Sequence, residues 1–408
     1  MRRLTELLLL AFAALLFPAT CPAQLDPFKR QLIELGFNQP LSGRGPVAGY
    51  AYYYFNQPGF TRTNLTLRLA IAPVYLDGEL GFRGLLGERT DFALGVSGGG
   101  FADSFSEIRG GHFFKEESFT GHGGGLSASV YHLFNPGQLI PLNGVVRVGG
   151  HQSVFSREAD TAAAFTVPRD ITSLNVRAGL RLGGREPLMA PDAAMEISLW
   201  YEGQFRKESM AYGYASDRFL HAQSHLIWGR ALLAYTLPES RHSFSVGLTT
   251  GISLDADRFS SYRLGAALPL NAEFPLNLPG YYYQEITARR FALVGGLYSI
   301  PLDSADQWSL TGFASSAVVD YVPGLDQPGN WHSGIGGGLG WHSRDNVWQV
   351  ILGYAYGVDA IRNDHRGAHS IGLLIQLDLE ARAHAPKRPI EPGVGPEKSR
   401  FLERLFRR

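Results

Sequence analysis

The chain has 408 residues, with 37 Lys+Arg set against 37 Asp+Glu, and only 18% of its residues are charged where about 25% is usual. It carries 49 Gly, 18 Tyr and 25 Phe but one Cys. With 45% apolar residues it is not a disordered chain; one Cys excludes a disulfide scaffold or a Cys-ligated metal fold, and the neutral balance gives no reason to expect nucleic acid as a partner.

Residues 1–23 read as a secretory signal. Arg2 and Arg3 make the basic start, Leu7 to Phe17 the apolar run, and Cys21-Pro22-Ala23 the small residues for cleavage after Ala23. The run is shorter than the about 20 residues a membrane helix needs. Acylation of Cys21 is the alternative reading of the same segment. Residues 24–46 hold Asp26-Pro27, an N-cap followed by Pro at the first helical position, then Phe28, Leu32, Ile33 and Leu35 before Gly36. This pattern predicts a short periplasmic lead-in helix, or a plug at a barrel mouth.

From there on, period-2 alternation recurs. Leu65, Leu67, Leu69 and Ile71 alternate with Thr66, Arg68 and Ala70, and the same pattern recurs over Leu174–Leu182, Met195–Glu202, Phe244–Ile252 and Ile371–Leu379. Each segment therefore has one apolar face and one polar or small face. The segments are long for soluble strands, their second face holds Arg, Glu and Gly, and Tyr or Trp recur near their ends (Tyr75, Tyr131, Trp200, Trp228, Tyr235, Tyr298, Trp308, Trp331, Trp341, Trp348, Tyr354). Together these favour an all-β, transmembrane, antiparallel up-and-down barrel over residues 47–380, placed in the bacterial outer membrane. Strands are expected near 47–55, 62–75, 79–86, 90–102, 123–134, 143–155, 170–183, 193–205, 222–236, 242–255, 287–300, 306–319, 331–343, 346–357 and 368–380. Barrels favour even counts, so the expectation is about 14–16 strands. The long loops 103–122, 156–169, 206–221, 256–286, 320–330 and 358–367 then fall on the outer side, with a weak run at 259–269 inside the 256–286 loop.

Residues 381–408 are a basic, Pro-rich periplasmic tail of net charge +5. The signal is +1, so the zero of the whole chain conceals a −6 body. Phe401, Leu402, Leu405 and Phe406 beside Arg400, Arg404 and Arg407 suit a short amphipathic helix for membrane or partner; a disordered tail fits equally. The partners expected are outer-membrane lipid and, through this tail, a periplasmic protein.

No catalytic set assembles, and the chain is not expected to be an enzyme. Gly95-Val96-Ser97-Gly98-Gly99 has nucleophile-elbow spacing but sits in a β pattern with no helix after it. The twelve His, among them His112, His122 and His369, read as loop or lumen residues, and no metal or cofactor is expected. Arg68, Arg147, Arg177, Arg181 and Arg230 with Glu196 and Glu202 fall on the polar faces, as a channel lining or as ion pairs across the lumen.

One stretch is distinctive: Tyr262-Arg263-Leu264-Gly265, then Leu278-Pro279-Gly280-Tyr281, then Phe291 through Tyr298 to Pro301-Leu302. It resembles the barrel of the bacterial surface antigen family, the outer-membrane assembly and two-partner-secretion barrels. The resemblance implies that the 256–286 loop folds into the lumen with Gly280-Tyr281 at its tip. It further implies that the strand after it ends in the aromatic Tyr298 and the turn Pro301-Leu302. Pro279 stands where the family motif has Arg, and only about 23 residues separate the signal from the first strand, which implies a barrel-only member without periplasmic polypeptide-binding domains. The rival expectation is a passive porin or fatty-acid-transporter-like channel for small solutes.

Overall fold

The computed structural model describes residues 28–46, 48–72, 75–100, 103–138, 140–184, 193–266 and 274–384. The signal and the tail helix expected at 401–406 lie outside the described residues. The strands are β1 (Arg30–Pro40), β2 (Ala48–Pro58), β3 (Leu65–Ala72), β4 (Tyr75–Phe82), β5 (Thr90–Gly99), β6 (Phe105–Arg109), β7 (His112–Leu133), β8 (Leu142–Arg157), β9 (Phe165–Thr166), β10 (Ile171–Gly183) and β11 (Ala193–Arg206). They continue with β12 (Met210–Tyr214), β13 (Arg218–Leu220), β14 (Gln223–Thr236), β15 (Ser243–Leu254), β16 (Tyr262–Leu264), β17 (Ile286–Pro301), β18 (Trp308–Tyr321), β19 (Trp331–His342), β20 (Trp348–Arg362) and β21 (His365–Asp378). A short helix α1 (Leu379–His384) follows, with the Asp378 carboxylate accepting from the Glu380 and Ala381 N–H groups at its start.

Sixteen of the strands, all but β6, β9, β12, β13 and β16, form one closed antiparallel barrel in which each pairs with the next in the chain. Closure comes from β1 and β21, paired from Leu32 opposite Asp378 to Pro40 opposite Ser370. The segment expected as a lead-in helix or plug is therefore a stave of the wall. The cap signal at Asp26-Pro27 lost to the alternation Ile33, Leu35, Phe37 against Glu34, Gly36, Asn38. As a strand, that segment satisfies the edges of both β2 and β21. As a helix it would leave two open edges in lipid, where each unsatisfied backbone group costs several kcal/mol.

Register fixes which residues face inward, because opposite residues share a face. Leu126, Ile197, Leu199, Leu310, Ile335 and Leu352 are on the outer, lipid-facing surface. Trp308 and Trp348 stand at the short-turn end and Trp331 at the long-loop end, all on the outside, as interface aromatics do. Tyr131, Trp200 and Trp228 depart from that expectation: they share the inward face and are packed inside.

The long-loop end is more structured than expected. β7 starts at His112 rather than 123 and pairs with β6 in a hairpin that rises beyond the barrel wall. Its upper half has no lipid to face, so it lacks the alternation that reveals strands. Likewise β20 and β21 run to Arg362 and from His365, turning the expected 358–367 loop into a two-residue turn at Asn363 and Asp364, both with positive φ. β3 is shorter than the expected 62–75, and β4 has the expected eight residues but lies four positions earlier than 79–86.

Candidate functional site

The lumen has two unlike half-walls. From β15 to β21 its inward face carries few charges: Ser245, Gly247, Thr249, Gly295, Ser299, Thr311 and Gly338 lie among the apolar Leu297, Phe313 and Ile351. From β3 to β14 it is charged. Glu79 receives Arg147 at 2.6 Å and the Tyr131 hydroxyl at 2.9 Å, with Arg68 4.0 Å away. Glu196 receives Arg181 at 2.9 Å, lies 3.7 Å from Arg230 and accepts from the Ser198 hydroxyl. All seven ionic residues singled out in the sequence share the inward face. The pairs of Arg68 with Glu79 and of Arg181 and Arg230 with Glu196 join neighbouring strands along the wall, whereas Arg147 on β8 reaches Glu79 on β4 past β5 and β7. Glu202 accepts from Gln204, and Arg177 stacks 4.7 Å from the Trp200 ring.

The segment between β15 and β17 enters this lumen. It leaves the rim as β16, which takes over from β15 as partner of the upper end of β17, with Tyr262 opposite Ala288. The Tyr262 hydroxyl donates to the carbonyls of Ile227 and Ile252, and its ring packs 4.7 Å from Phe291. Phe274 reaches the charged half-wall, 5.2 Å from Trp200 and 6.0 Å from Trp228, beneath the guanidinium groups of Arg177 and Arg230. The chain then crosses to the opposite half-wall. Leu278 and Tyr281 are buried there, and Gly280 lies against β20 with φ 84°. A Cβ on Gly280 would collide with the backbone at Gly357, and one on Gly334 would collide with Pro279. Gly280 and Tyr281 are thus seated on the wall, not at a tip.

Two polar clamps hold this crossing. The Glu285 carboxylate takes both amino groups of Arg362 at 2.9 and 2.7 Å, and both residues are buried. Glu285 also accepts from the Tyr282 N–H at 2.7 Å, while Arg362 lies 3.5 Å from the centre of the Tyr282 ring. His332 on β19 joins Tyr281 at 3.2 Å through one ring nitrogen and Tyr321 at 2.5 Å through the other. Burial, and then the nearby Glu285 charge, push the Tyr281 phenol above its ordinary range, so it stays a neutral hydrogen-bonding group.

Above the loop sits a roof. Phe105, Phe119, Phe165, Tyr212 and Leu220 form a buried cluster with Phe155 and Phe259 packed on it. Within it, buried Glu107 accepts from Arg109 at 2.9 Å and Arg258 at 3.1 Å, with Arg218 3.4 Å away. Arg218 also pairs with Glu117. The hairpin of β6 and β7 reaches across the mouth, so that a Cβ on Gly111 would strike the Ile361 carbonyl of β20. Arg263 donates to the Ser106 and Gln284 carbonyls, tying the loop to the roof, and burial pushes its guanidinium down to about 10.

No family model and no curated protein matches the sequence. Solved structures do match. CdiB from Acinetobacter baumannii superposes with a TM-score of 0.56 at 9% identity, over 86% of this chain and 60% of that one. BamA from Haemophilus ducreyi lacking POTRA domains 1-3 gives 0.53 at 8% identity, over 85% and 70%. CdiB from Escherichia coli gives 0.51 at 11% identity, over 85% and 63%. The barrel has the fold of CdiB and BamA. The chain spans 60% of the length of the first of these. At such identities the likeness concerns the fold, and the loop geometry above stands on this chain's own residues.

Of the residues in the sequence motif, Leu278, Pro279, Gly280, Tyr281 and Phe291 meet inside the barrel. Tyr298 does not join them: it faces outward and contacts His242 at 2.6 Å, and Pro301 ends β17 at the short-turn rim with Leu302 just after it. Sequence reasoning missed Glu285, Arg362 and His332. Arg362 lies past the expected strand end and past the irregularity between Gly357 and Ile361 that shifts the register of β20, so strand parity did not point to it. Among the described residues no group of three His, Cys, Asp or Glu side chains is poised to hold a metal.

Proposed function

We propose that this protein is an outer-membrane barrel of the surface-antigen type, exported by its signal segment, whose lumen is held shut at rest by the 255–285 loop. On this reading the short turns and both termini face the periplasm and the roof faces outward. Cargo passes, or the wall acts on it, only when the loop leaves its seat. The basic tail offers a periplasmic partner a place to engage. The observation that carries the proposal is the buried Glu285–Arg362 clamp, with Gly280 pressed on Gly357, on the far side of the lumen from Phe274. One loop thus spans both half-walls. The fold shared with CdiB and BamA and the motif around Gly280-Tyr281 support the same reading.

Planar-bilayer recording tests it. The intact protein should give a small, rarely opening conductance, and replacing 270–284 by a short Gly-Ser link should give a large steady one. A large conductance from the intact protein would favour a passive porin instead. An unchanged small conductance after loop removal would sink the plug. The N-terminal segment cannot serve as an alternative plug, since residues 30–40 are wall.

A further inference from the structure

The wall is not of even height. β3 and β4 have 8 residues each, whereas β8 has 16, β11 and β14 have 14, and β17 has 16. Eight residues at about 3.4 Å each, tilted by about 45°, rise about 19 Å, less than the about 25 Å apolar band of an outer-membrane barrel. The deficit falls at the long-loop rim. At the other rim β3 and β4 stay level with their neighbours: Pro58 at the end of β2 lies opposite Thr66, and Leu65 opposite Phe82. Only two residues link Ala72 to Tyr75, so the hairpin cannot rise further. Nearby, β7 continues eleven residues above the Gly99–Gly123 pair where β5 stops.

Elsewhere the same end is covered. The roof hairpin reaches β20, and Tyr282 of the loop reaches Ser42 between β1 and β2. Behind the low wall lie inward-facing polar groups that solvent still reaches: Asp77 and Arg68 have side chains 35% and 34% exposed, and Arg147 is beside them on Glu79. Outside it, Ile71 and Leu76 present an apolar lip, 42% and 38% exposed.

We infer that β3 and β4 form a lateral portal, through which an acyl-chain amphiphile of the outer leaflet places its polar head in the lumen against Arg68, Asp77 and Arg147 while its chains stay in the membrane. A wall shorter than the apolar layer draws the leaflet down beside it, and the dip brings headgroups level with these residues. The inference rests on the transmembrane reading of the barrel but not on the plug.

The test uses the full chain in phosphatidylcholine–phosphatidylglycerol vesicles containing a trace of isotopically labelled phospholipid. Benzoylphenylalanine replaces Asp77 or Ser97, which face inward behind the low wall. It replaces Leu126 on the lipid face and Thr311 on the inward face behind β18 in parallel. Lipid adducts are read on the folded, heat-modifiable band. Adducts at positions 77 and 97 several-fold above those at 311 are expected, and four residues inserted between Ala72 and Tyr75 should lower them to the 311 level while 126 is unchanged. Equal adducts at 77, 97 and 311 overturn the portal, as does labelling that survives the insertion. Absence of adducts at 126 overturns the transmembrane reading itself, which separates the two failures.

Discussion

At the scale of single residues, the closed lumen depends on a few pairs that have no spare partners of equal quality. Glu285 and Arg362 are both buried, so removing one leaves the other as an uncompensated charge, a loss of about 3–5 kcal/mol. Arg362→Ala and Glu285→Ala should each loosen the loop and raise opening frequency in bilayer recordings by at least an order of magnitude. The double exchange Glu285→Arg with Arg362→Glu should recover most of the closure, whereas two independent defects would add. Gly280→Val tests the seat in another way. It adds a branched side chain at a positive φ, where the backbone of Gly357 already fills the space. It should open the lumen as Arg362→Ala does, with the barrel still heat-modifiable on gels.

At the scale of elements, much of the wall was legible and the ends were not. Alternation identifies a strand where one face meets lipid and the other water, and the central parts of β8, β10, β11, β14 and β15 fall where that pattern put them. β1 shows how the reading fails. Its alternation is as regular as that of β10, but a local cap signal preceded it, and only the need to close a ring decides in favour of the strand. The upper half of β7 shows the second limit: above the membrane both of its faces meet protein or water, so period 2 disappears. The infolded loop could be anticipated from the Gly280-Tyr281 motif, but its clamp could not, because Arg362 lies 77 residues beyond Glu285 and nothing local marks the pair. The status of β1 makes its own prediction. Deleting 28–42 should abolish the heat-modifiable folded band altogether, while deleting 270–284 should leave it intact; a folded barrel without 28–42 would mean that β2 and β21 can close alone.

At the scale of the whole molecule, the roof and the loop form one body on top of the wall. Glu107 gathers Arg109, Arg218 and Arg258 from three separate segments, and the aromatic cluster around Phe119 fills the space beside it. Glu107→Ala takes the carboxylate from Arg258 and leaves Arg109 and Arg218 to share Glu117 beside the aromatic cluster. It should expose the 158–170 and 207–222 segments to added protease on intact cells several-fold faster than the parent, with the wall strands still protected. Equal digestion of parent and variant would show that the roof does not depend on this carboxylate.

The β1–β21 seam has a consequence for how the molecule comes into being. Partners such as Leu35 and Ile375 sit at opposite ends of the described chain. Hairpins such as β17 with β18 can form as soon as their own residues are available, since their loops are short and cheap to close. The seam cannot: its contacts have the greatest sequence separation in the wall and come last. Until then the chain carries two open edges, each able to capture a strand from another molecule. A product ending before β21 has no partner within its own chain for that edge of β1. The last strand of the wall therefore decides closure: without it the edges of β1 and β20 both stay open, however well the rest of the wall has formed.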